Sequence, residues 1–258
     1  MHKEYEIPIK RRKRRLKRKI VDETFVRTTD INLLYLCMMH PQLIITADQS
    51  HTLFHPVLNE TYHSQGGAIG ESQYVYIDSG LAYMASNQEE INIFEFGFGT
   101  GLNALLSWMF AQSHKKKLYY DSVEKFPLDK EVFSQLNYGE QLNEKERFSL
   151  LHTCPWNEEM LLDPFFHFKK QETDIFDFAF PTAFYDLVYF DAFAPSKQAE
   201  VWAPSLLEKI HRALKPGGVL ITYCSQGQFK RDLKETGFEL EMLPGPFKKK
   251  EITRAYKK

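Results

Sequence analysis

The stretch INIFEFGFGTGLN at residues 91–103 constrains the fold of this chain more than any other. It starts with a short β-prone run, passes through a glycine-rich turn and continues into a helix-like segment, LNALLSWMF. Glycines let a backbone turn sharply and approach a ligand without a Cβ atom in the way. The helix N-terminus that follows presents free N–H groups. A strand, a glycine turn and a helix form the first half of a Rossmann-type nucleotide site, so we predict an α/β fold.

The spacing of the glycines indicates the kind of ligand. The pattern is G-x-G-x-G rather than G-x-G-x-x-G, and an acid, Glu95, stands two residues before the first glycine. This compressed form is typical of sites for S-adenosylmethionine (SAM), and a carboxylate suits a cationic ligand better than a pyrophosphate. A tight turn without a ligand is the alternative at this point. The predicted cofactor contacts in this stretch are Glu95, Gly97, Phe98, Gly99, Thr100, Gly101 and Asn103.

Two later strand ends supply further candidate cofactor contacts. LYYDSV is predicted as a second strand, and Glu124 follows it, 23 residues after Gly101. An acid at this place accepts hydrogen bonds from ribose hydroxyls, although it would also suit the start of a helix. HFKKQETDIF is predicted as a third strand that ends at Asp174, whose carboxylate would accept the adenine amino hydrogens while Ile175 packs on the ring. Asp177 is a rival for the same role.

The second informative stretch is AFYDLVYFDAFAPSKQAEVW. DLVYF is nearly all apolar, as expected of a central strand in a parallel sheet. Asp191 stands at its carboxyl end, the edge at which open α/β sheets bind ligands, and Phe193 and Pro195 form an apolar wall beside it. A helix over 204–213, a K-P-G-G helix stop, the strand VLITYCS, another helix and a C-terminal hairpin follow. This alternation predicts a seven-stranded, mostly parallel sheet with an antiparallel edge hairpin.

The residues ahead of the glycine turn predict a small N-terminal addition to the fold. LIIT and HTLFHP read as a β-hairpin, and ESQYVYIDSGLAYM reads first as a strand and then as a helix. We predict a poorly ordered basic extension over residues 1–42 and one domain over 43–258. Within that domain, residues 43–90 form an N-terminal extension of the fold and residues 91–258 form the Rossmann-like core.

The same region contains three histidines, His51, His55 and His63. They have no partner cysteine or carboxylate at a spacing typical of zinc sites. We therefore expect no metal site there, and we read the histidines as polar surface or substrate contacts.

The net charge of −1 conceals a strong asymmetry. Residues 10–19, KRRKRRLKRK, contain nine Lys or Arg and no acid, and without them the net charge of the chain would be −10. A segment this basic repels itself and is poorly ordered alone. Three interpretations stay open: an arm that binds nucleic acid by neutralising phosphates, a solvated tail, or an over-long start upstream of Met38 or Met39.

Composition excludes several other classes of protein. Hydrophobic residues make up 43% of the chain, which is enough for a sizeable core. The three cysteines show no C-x-x-C spacing, which argues against a disulfide framework or a zinc site and suits a reducing cytosol. No apolar run reaches the roughly 18 residues of a membrane span, and no signal peptide is visible. We therefore expect a cytoplasmic protein without a membrane partner.

Four motifs together resemble a known family. They are E-x-G-F-G-T-G-L-N at 95–103, E-K-F-P-L at 124–128, D-x-F-A-P-x-K at 191–197 and K-P-G-G at 215–218. The resemblance is to the SAM-dependent methyltransferases of tRNA wobble-uridine modification, the methyltransferase half of MnmC-type enzymes, and it covers roughly residues 43–255. The chain is most similar to the stand-alone MnmD-type form, without an FAD-binding domain. Ala192 departs from the family, which often has glycine there, and the basic arm is not part of the pattern.

The resemblance implies a class I methyltransferase that binds SAM and tRNA. It implies methyl transfer to the aminomethyl group on carbon 5 of the wobble uridine. We predict that Asp191 positions the amine and accepts its proton, and that Phe193 and Pro195 pack on a flipped uracil. Cofactor contacts then include Lys125, Ile175 and Asp191, and the remaining substrate candidates are Tyr62, Glu71 and Lys197.

Basic side chains outside the arm are candidates for tRNA contact. They are Lys197, Lys230, Arg231 and Lys248 to Lys250. Two other classes of function share the same fold and stay open from the sequence. One is a small-molecule amine methyltransferase or aminopropyltransferase, which needs no RNA surface. The other is a non-catalytic RNA-binding protein with a SAM fold.

Overall fold

An eight-stranded sheet forms the centre of the protein in the computed structural model, which describes residues 41–258. The predictions for the basic arm and for Met38 and Met39 lie outside these residues. The strands are β1 (Gln42–Ile45), β2 (His51–His55), β3 (Glu60–Thr61), β4 (Glu90–Phe96), β5 (Lys117–Glu124), β6 (Glu159–Asp163), β7 (Phe166–Glu172), β8 (Tyr185–Phe190), β9 (Leu214–Thr222), β10 (Phe238–Pro244) and β11 (Glu251–Lys257). Strands β1 to β3 form a separate antiparallel sheet, which confirms the predicted N-terminal hairpin and adds a two-residue third strand.

The strand order of the main sheet is β10-β11-β9-β8-β4-β5-β7-β6. The central pairs are parallel, and the β10–β11 hairpin is antiparallel, as predicted. The prediction of seven strands was wrong by one, because β6 pairs antiparallel with β7 at the other edge. This strand is short and its Leu161 is 63% exposed. Its sequence, EMLLD, also lacks the alternation of apolar and polar residues that marks a half-buried strand.

The helices cover both faces of the sheet. They are α1 (Ala68–Ser72), a π-helix (Gln73–Leu81), α2 (Ala82–Ala85), α3 (Leu102–His114), α4 (Lys130–Phe133), α5 (Tyr138–Gln141), α6 (Lys145–Thr153), a 3₁₀ turn (Ala199–Trp202), α7 (Pro204–Ala213) and α8 (Gly227–Glu235). Neighbouring residues of β4 belong to opposite faces: Ile93 packs in the cluster that contains Leu105 of α3, and Phe94 packs in the cluster that contains Leu207 of α7. No described helix is long and apolar enough to cross a membrane.

The segment predicted to begin as a strand, ESQYVYIDSGLAYM, is helical throughout. Val75 and Tyr76 favour strands by propensity, but here they are buried against the sheet, and tertiary packing overrides propensity. The helix lies close to the sheet at Gly80, where an added Cβ would stand 3.0 Å from Ile221 Cγ2. A larger residue there would push the π-helix off the sheet.

A buried carboxylate ties three central strands together at the edge opposite the glycine turn. Asp186 of β8 is 5% exposed, and its Oδ2 accepts hydrogen bonds from the backbone N and the Nδ2 of Asn92 in β4, at 2.8 and 3.1 Å. The Nζ of Lys215 in β9 donates to both carboxylate oxygens at 2.8 and 2.9 Å. The K-P-G-G stretch therefore not only follows helix α7 but also belongs to β9, where its lysine forms an ion pair with Asp186.

We predict that Asp186→Ala lowers the free energy of unfolding by about 2–4 kcal/mol, because it leaves a buried N–H and a lysine without their partner. Urea unfolding followed by circular dichroism measures this change. Glu90→Ala is the matched control, since Glu90 forms an exposed ion pair with Lys117 and its loss should leave the midpoint nearly unchanged. Equal effects of the two substitutions would contradict the structural role of Asp186.

Candidate active site

A cleft of about 680 Å³ opens where β4, β5, β7 and β8 end. This is the carboxyl edge at which open α/β sheets bind ligands. Most residues predicted from the sequence line it: Tyr62, Glu71, Gly97, Phe98, Gly99, Thr100, Glu124, Lys125, Asp174, Ile175, Asp191, Phe193 and Lys197. Four predicted residues are not among the lining residues: Glu95, Gly101, Asn103 and Pro195.

The glycine turn after β4 forms one wall of the cleft. Gly97 has a φ of +89° and Gly99 a φ of +50°, the left-handed region that side chains other than glycine rarely adopt. A Cβ on Gly99 would stand 3.5 Å from the Tyr62 ring, so a side chain there would fill space in the cleft. Gly101 has a different role, because it precedes α3 and a Cβ there would meet His152 and Phe98 at 3.0 Å.

Glu124 closes the turn from the neighbouring strand. Its Oε2 accepts a hydrogen bond from Gly99 N at 3.0 Å, and its Oε1 accepts one from Phe126 N at 2.8 Å. Burial raises the pKa of this carboxyl group, and the two backbone donors act against that shift. Each oxygen keeps a free lone pair, so the position is compatible with the predicted acceptance of ribose hydroxyls.

Asp174 and Lys125 form an ion pair on the far side of the cleft, with Nζ 2.6 Å from Oδ2. The lysine holds the pKa of Asp174 below its usual value, and Phe176 N donates to Oδ1 at 3.0 Å. Asp177 does not line the cleft, so Asp174 is the better placed of the two candidates for adenine. The lining residue Phe126 exposes 74% of its surface here, an apolar face of the kind a base can stack on.

Asp191 follows β8 and faces the cleft with both carboxylate oxygens fixed. The hydroxyl of Tyr76, in the π-helix, donates to Oδ1 at 2.6 Å, and Asn103 Nδ2, in α3, donates to Oδ2 at 2.8 Å. Burial raises the pKa of Asp191 to about 6, against the effect of the two donors. Asp191 is therefore mostly ionised at pH 7. Asn103 contacts the site through Asp191, and sequence analysis missed Tyr76 because its segment reads as a strand.

Glu95 lies behind the glycine turn rather than on the cleft wall. It is 1% exposed, and its Oε2 accepts a hydrogen bond from Ser122 Oγ at 2.7 Å. Burial raises the pKa of its carboxyl group to about 8, so it is mostly protonated at pH 7. The attraction to a cationic ligand that we expected of this acid would therefore be weak.

The end of the cleft next to Asp191 contains aromatic and charged side chains. The rings of Tyr62 and Phe193 meet edge to face at 5.0 Å. Glu71 accepts a hydrogen bond from Ser64 N at 2.6 Å and forms an ion pair with Lys249. The Lys249 Nζ also lies 4.1 Å from the centre of the Tyr223 ring, and both residues line the cleft.

Tyr223 was missed as a site residue in sequence analysis although the predicted strand VLITYCS contains it; in the structure β9 ends one residue before it, at Thr222. The rule that ligands bind at the carboxyl ends of strands, applied to β9 as it was to β8, would have found it. Lys249 was predicted only as part of a basic patch. Its place in the cleft depends on how the loop between β10 and β11 packs near Glu71, which no local sequence pattern indicates.

The three histidines near the N-terminal sheet form hydrogen bonds with neighbouring residues, among them His55 with Leu58 N at 3.3 Å, and His55 and His63 also line the cleft. His51 Nδ1 lies 2.8 Å from the carbonyl oxygen of Gln135, and His63 lies 3.3 Å from Thr52 Oγ1. Burial lowers the pKa of His63 to about 4, so this imidazole is neutral. Within residues 41–258, no three His, Cys, Asp or Glu side chains come together as a metal site would need.

Comparison with known proteins agrees with this geometry. Residues 170–258 match the family described as S-adenosyl-L-methionine-dependent methyltransferase. The chain is 28% identical over 202 residues to a protein of Cupriavidus necator and 31% identical over 206 residues to one of Leptospira interrogans. Both are named tRNA 5-methylaminomethyl-2-thiouridine biosynthesis bifunctional protein MnmC. These matches cover 74% and 75% of this chain but 31% and 32% of the relatives, so the chain spans about a third of their length.

A solved structure shares the fold over most of both chains. The crystal structure of MNMC2 from Aquifex aeolicus has a TM-score of 0.69, covers 96% of this chain and 84% of its own, and is 24% identical in sequence. The chain is therefore similar to a family of SAM-dependent methyltransferases over residues 170–258 and to MnmC proteins over about three quarters of its length, and it has the fold of the MNMC2 structure.

Proposed function

We propose that the protein transfers a methyl group from SAM to the aminomethyl group on carbon 5 of the wobble uridine of tRNA, giving methylaminomethyluridine. The observation that carries the proposal is the Asp191 carboxylate. It is fixed by two donors, and Phe193 and the glycine turn line the same cleft. The names of the relatives, which refer to tRNA 5-methylaminomethyl-2-thiouridine biosynthesis, support the choice of substrate.

The residues of the cleft would divide the work between cofactor and acceptor. Gly97 and Gly99 would lie against the methionine part of SAM, Glu124 would bind the ribose, and Asp174 with Ile175 would bind adenine. When bound, SAM supplies an electrophilic methyl group. The protein therefore needs alignment of the acceptor more than acid–base strength.

The acceptor amine presents a problem of protonation. An alkylamine is mostly protonated near pH 7 and is then not a nucleophile. The ionised Asp191 would attract the ammonium group, hold it in line and accept its proton, so that the nitrogen gains the methyl group and loses one hydrogen. Phe193 and Tyr62, whose rings meet at the same end, would pack against a uracil that has left the base stack.

Gly99→Val tests the cofactor site. A side chain at this position would project toward the Tyr62 ring and fill the part of the cleft beside the glycine turn, so we predict loss of SAM binding in titration calorimetry. Gly217→Val is the matched control. Gly217 also has a positive φ, of +78°, but a Cβ added there would meet no atom within 4 Å, and Gly217 does not line the cleft. Both variants should carry similar backbone strain, yet only Gly99→Val should lose SAM. Unchanged affinity in that variant would refute the assignment.

Asp191→Asn tests the amine-handling role. Asparagine keeps the shape but removes the charge and the proton acceptor, so we predict a maximal rate lower by roughly 100-fold or more with unchanged SAM affinity. In the wild type, activity should fall as the pH drops through about 6, the pKa of Asp191. In the variant, raising the pH should recover part of the rate, because the amine then deprotonates in solution.

Asp177→Asn is the control for this experiment, since Asp177 is an acid of the same region outside the cleft lining. It should keep the wild-type rate and pH profile. If extra SAM restores the Asp191→Asn enzyme, Asp191 binds the cofactor and does not handle the amine. Nucleoside mass spectrometry of the tRNA product identifies the methylated base.

The surface next to the acceptor end offers positive charge. Among the predicted tRNA contacts, Lys230 pairs with Glu251 at 2.7 Å and Lys249 with Glu71. Lys248 and Lys250 are exposed and form no ion pair with any described residue. They flank Lys249, which lines the cleft, so phosphates bound there would lie beside the acceptor site.

We predict that replacing Lys248 and Lys250 together by alanine weakens tRNA binding and lowers the slope of log K against log salt concentration by about 2. Filter binding at several salt concentrations measures both quantities. Replacing Lys115 and Lys117 together is the control, because these exposed lysines lie where β5 begins, opposite the cleft. An unchanged slope in the first variant would place the tRNA backbone on another surface.

A further inference from the structure

We propose that Tyr76 is a positioning residue for Asp191, and that the π-helix places the Tyr76 hydroxyl against that carboxylate. The inference deepens the proposed function, because it rests on Asp191 receiving the acceptor amine. Tyr76 is not a catalytic residue, since its side chain does not line the cleft. It would act only by fixing the orientation and the charge of the group that does.

The contact itself is short and well enclosed. Tyr76 is 2% exposed, and its hydroxyl donates to Asp191 Oδ1 at 2.6 Å, across 115 positions of sequence. A hydroxyl at this distance from a carboxylate forms a charge-assisted hydrogen bond, which is stronger than a neutral one. Asn103 Nδ2 donates to the other oxygen at 2.8 Å, so the carboxylate plane cannot rotate without breaking a hydrogen bond.

The helix that carries Tyr76 is unusual. Gln73–Leu81 is a nine-residue π-helix, whereas π-helical bonding is rare and mostly limited to single turns at functional sites. Two of its residues meet the same side chain of the sheet. The Tyr76 ring packs on the Tyr189 ring at 5.2 Å, and a Cβ on Gly80 would lie 3.5 Å from the same ring. Because Gly80 has no side chain, the helix lies close enough to the sheet for Tyr76 to reach the end of β8.

The charges around Asp191 explain what the hydroxyl contributes. Burial and the nearby Glu71 raise its pKa, whereas Lys249 and the two donors lower it. Tyr223 faces the same region and stays neutral, because burial raises its pKa well above the usual value. The Tyr76 pKa is also far above its usual value, so its phenol remains a donor throughout the working pH range and never acts as the base. Without this donor, Asp191 would hold its proton to a higher pH.

Tyr76→Phe tests the inference, with Tyr74→Phe as the matched control. Tyr74 lies in the same π-helix, but its hydroxyl donates to the carbonyl oxygen of Pro244 at 2.9 Å and not to Asp191. We expect the acid limb of the pH profile of kcat/KM to move up by about one pH unit in Tyr76→Phe. At pH values below this limb, kcat/KM should be roughly tenfold lower than in the wild type, and at high pH the two enzymes should be equal. The control should keep the wild-type profile, and SAM affinity should not change in either variant.

A second measurement does not depend on turnover. Titration of the Asp191 carboxyl carbon by NMR, assigned with Asp191→Asn, should show a higher midpoint in Tyr76→Phe than in the wild type and in Tyr74→Phe. An unchanged midpoint, or a loss of rate that is equal at every pH, would reduce Tyr76 to a packing residue and overturn the inference. If the wild type does not methylate tRNA at all, the proposed function fails, and the NMR midpoints still decide the role of Tyr76.

Discussion

The site depends on one point at which three elements meet, the Asp191 carboxylate. Three elements that are distant in sequence converge on it: the end of β8 supplies the acid, the π-helix supplies Tyr76 and α3 supplies Asn103. Two donors repay part of the cost of desolvating the charge, which would otherwise favour the neutral acid. Since α3 begins immediately after the glycine turn, the contact also fixes the position of the turn relative to β8. The contact thereby fixes the proposed cofactor wall and the proposed acceptor acid relative to each other.

Three carboxyl groups near the turn differ because their surroundings differ. Glu95 is almost fully buried, and the nearby Asp191 carboxylate adds to the effect of burial, so its pKa rises to about 8 although Ser122 donates a hydrogen bond to it. Asp191 has two donors and partial exposure, and its pKa rises only to about 6. Glu124 accepts two backbone N–H groups that oppose the effect of burial. Near pH 7 this arrangement favours a neutral acid behind the turn and an ionised one facing the cleft, which is how adjacent carboxyl groups take different roles.

The parts of the fold that the sequence predicts correctly are local. The glycine turn, the helix Pro204–Ala213 and the C-terminal hairpin each follow from a short pattern of spacing and turn residues. The features that the sequence does not reveal depend on long-range packing. Nothing near Tyr76 indicates a partner at position 191, and its β-prone neighbours favour the wrong element. Strand β6 was missed for a different reason: it is a short edge strand, and its sequence EMLLD does not alternate between apolar and polar residues.

Different parts of the fold form the two ends of the cleft. The proposed cofactor end consists of strand ends and turns of the main sheet, such as Gly99 and Glu124. The proposed acceptor end is formed by segments added to the sheet: Tyr62 follows β3, Glu71 lies in α1, and Lys249 lies in the loop between β10 and β11. Glu71 connects the three segments, because it accepts a hydrogen bond from Ser64 N, in the segment after β3, and pairs with Lys249. Under the proposed function, substrate choice would reside in the additions, and likeness of the core to methyltransferases carries no information about the acceptor.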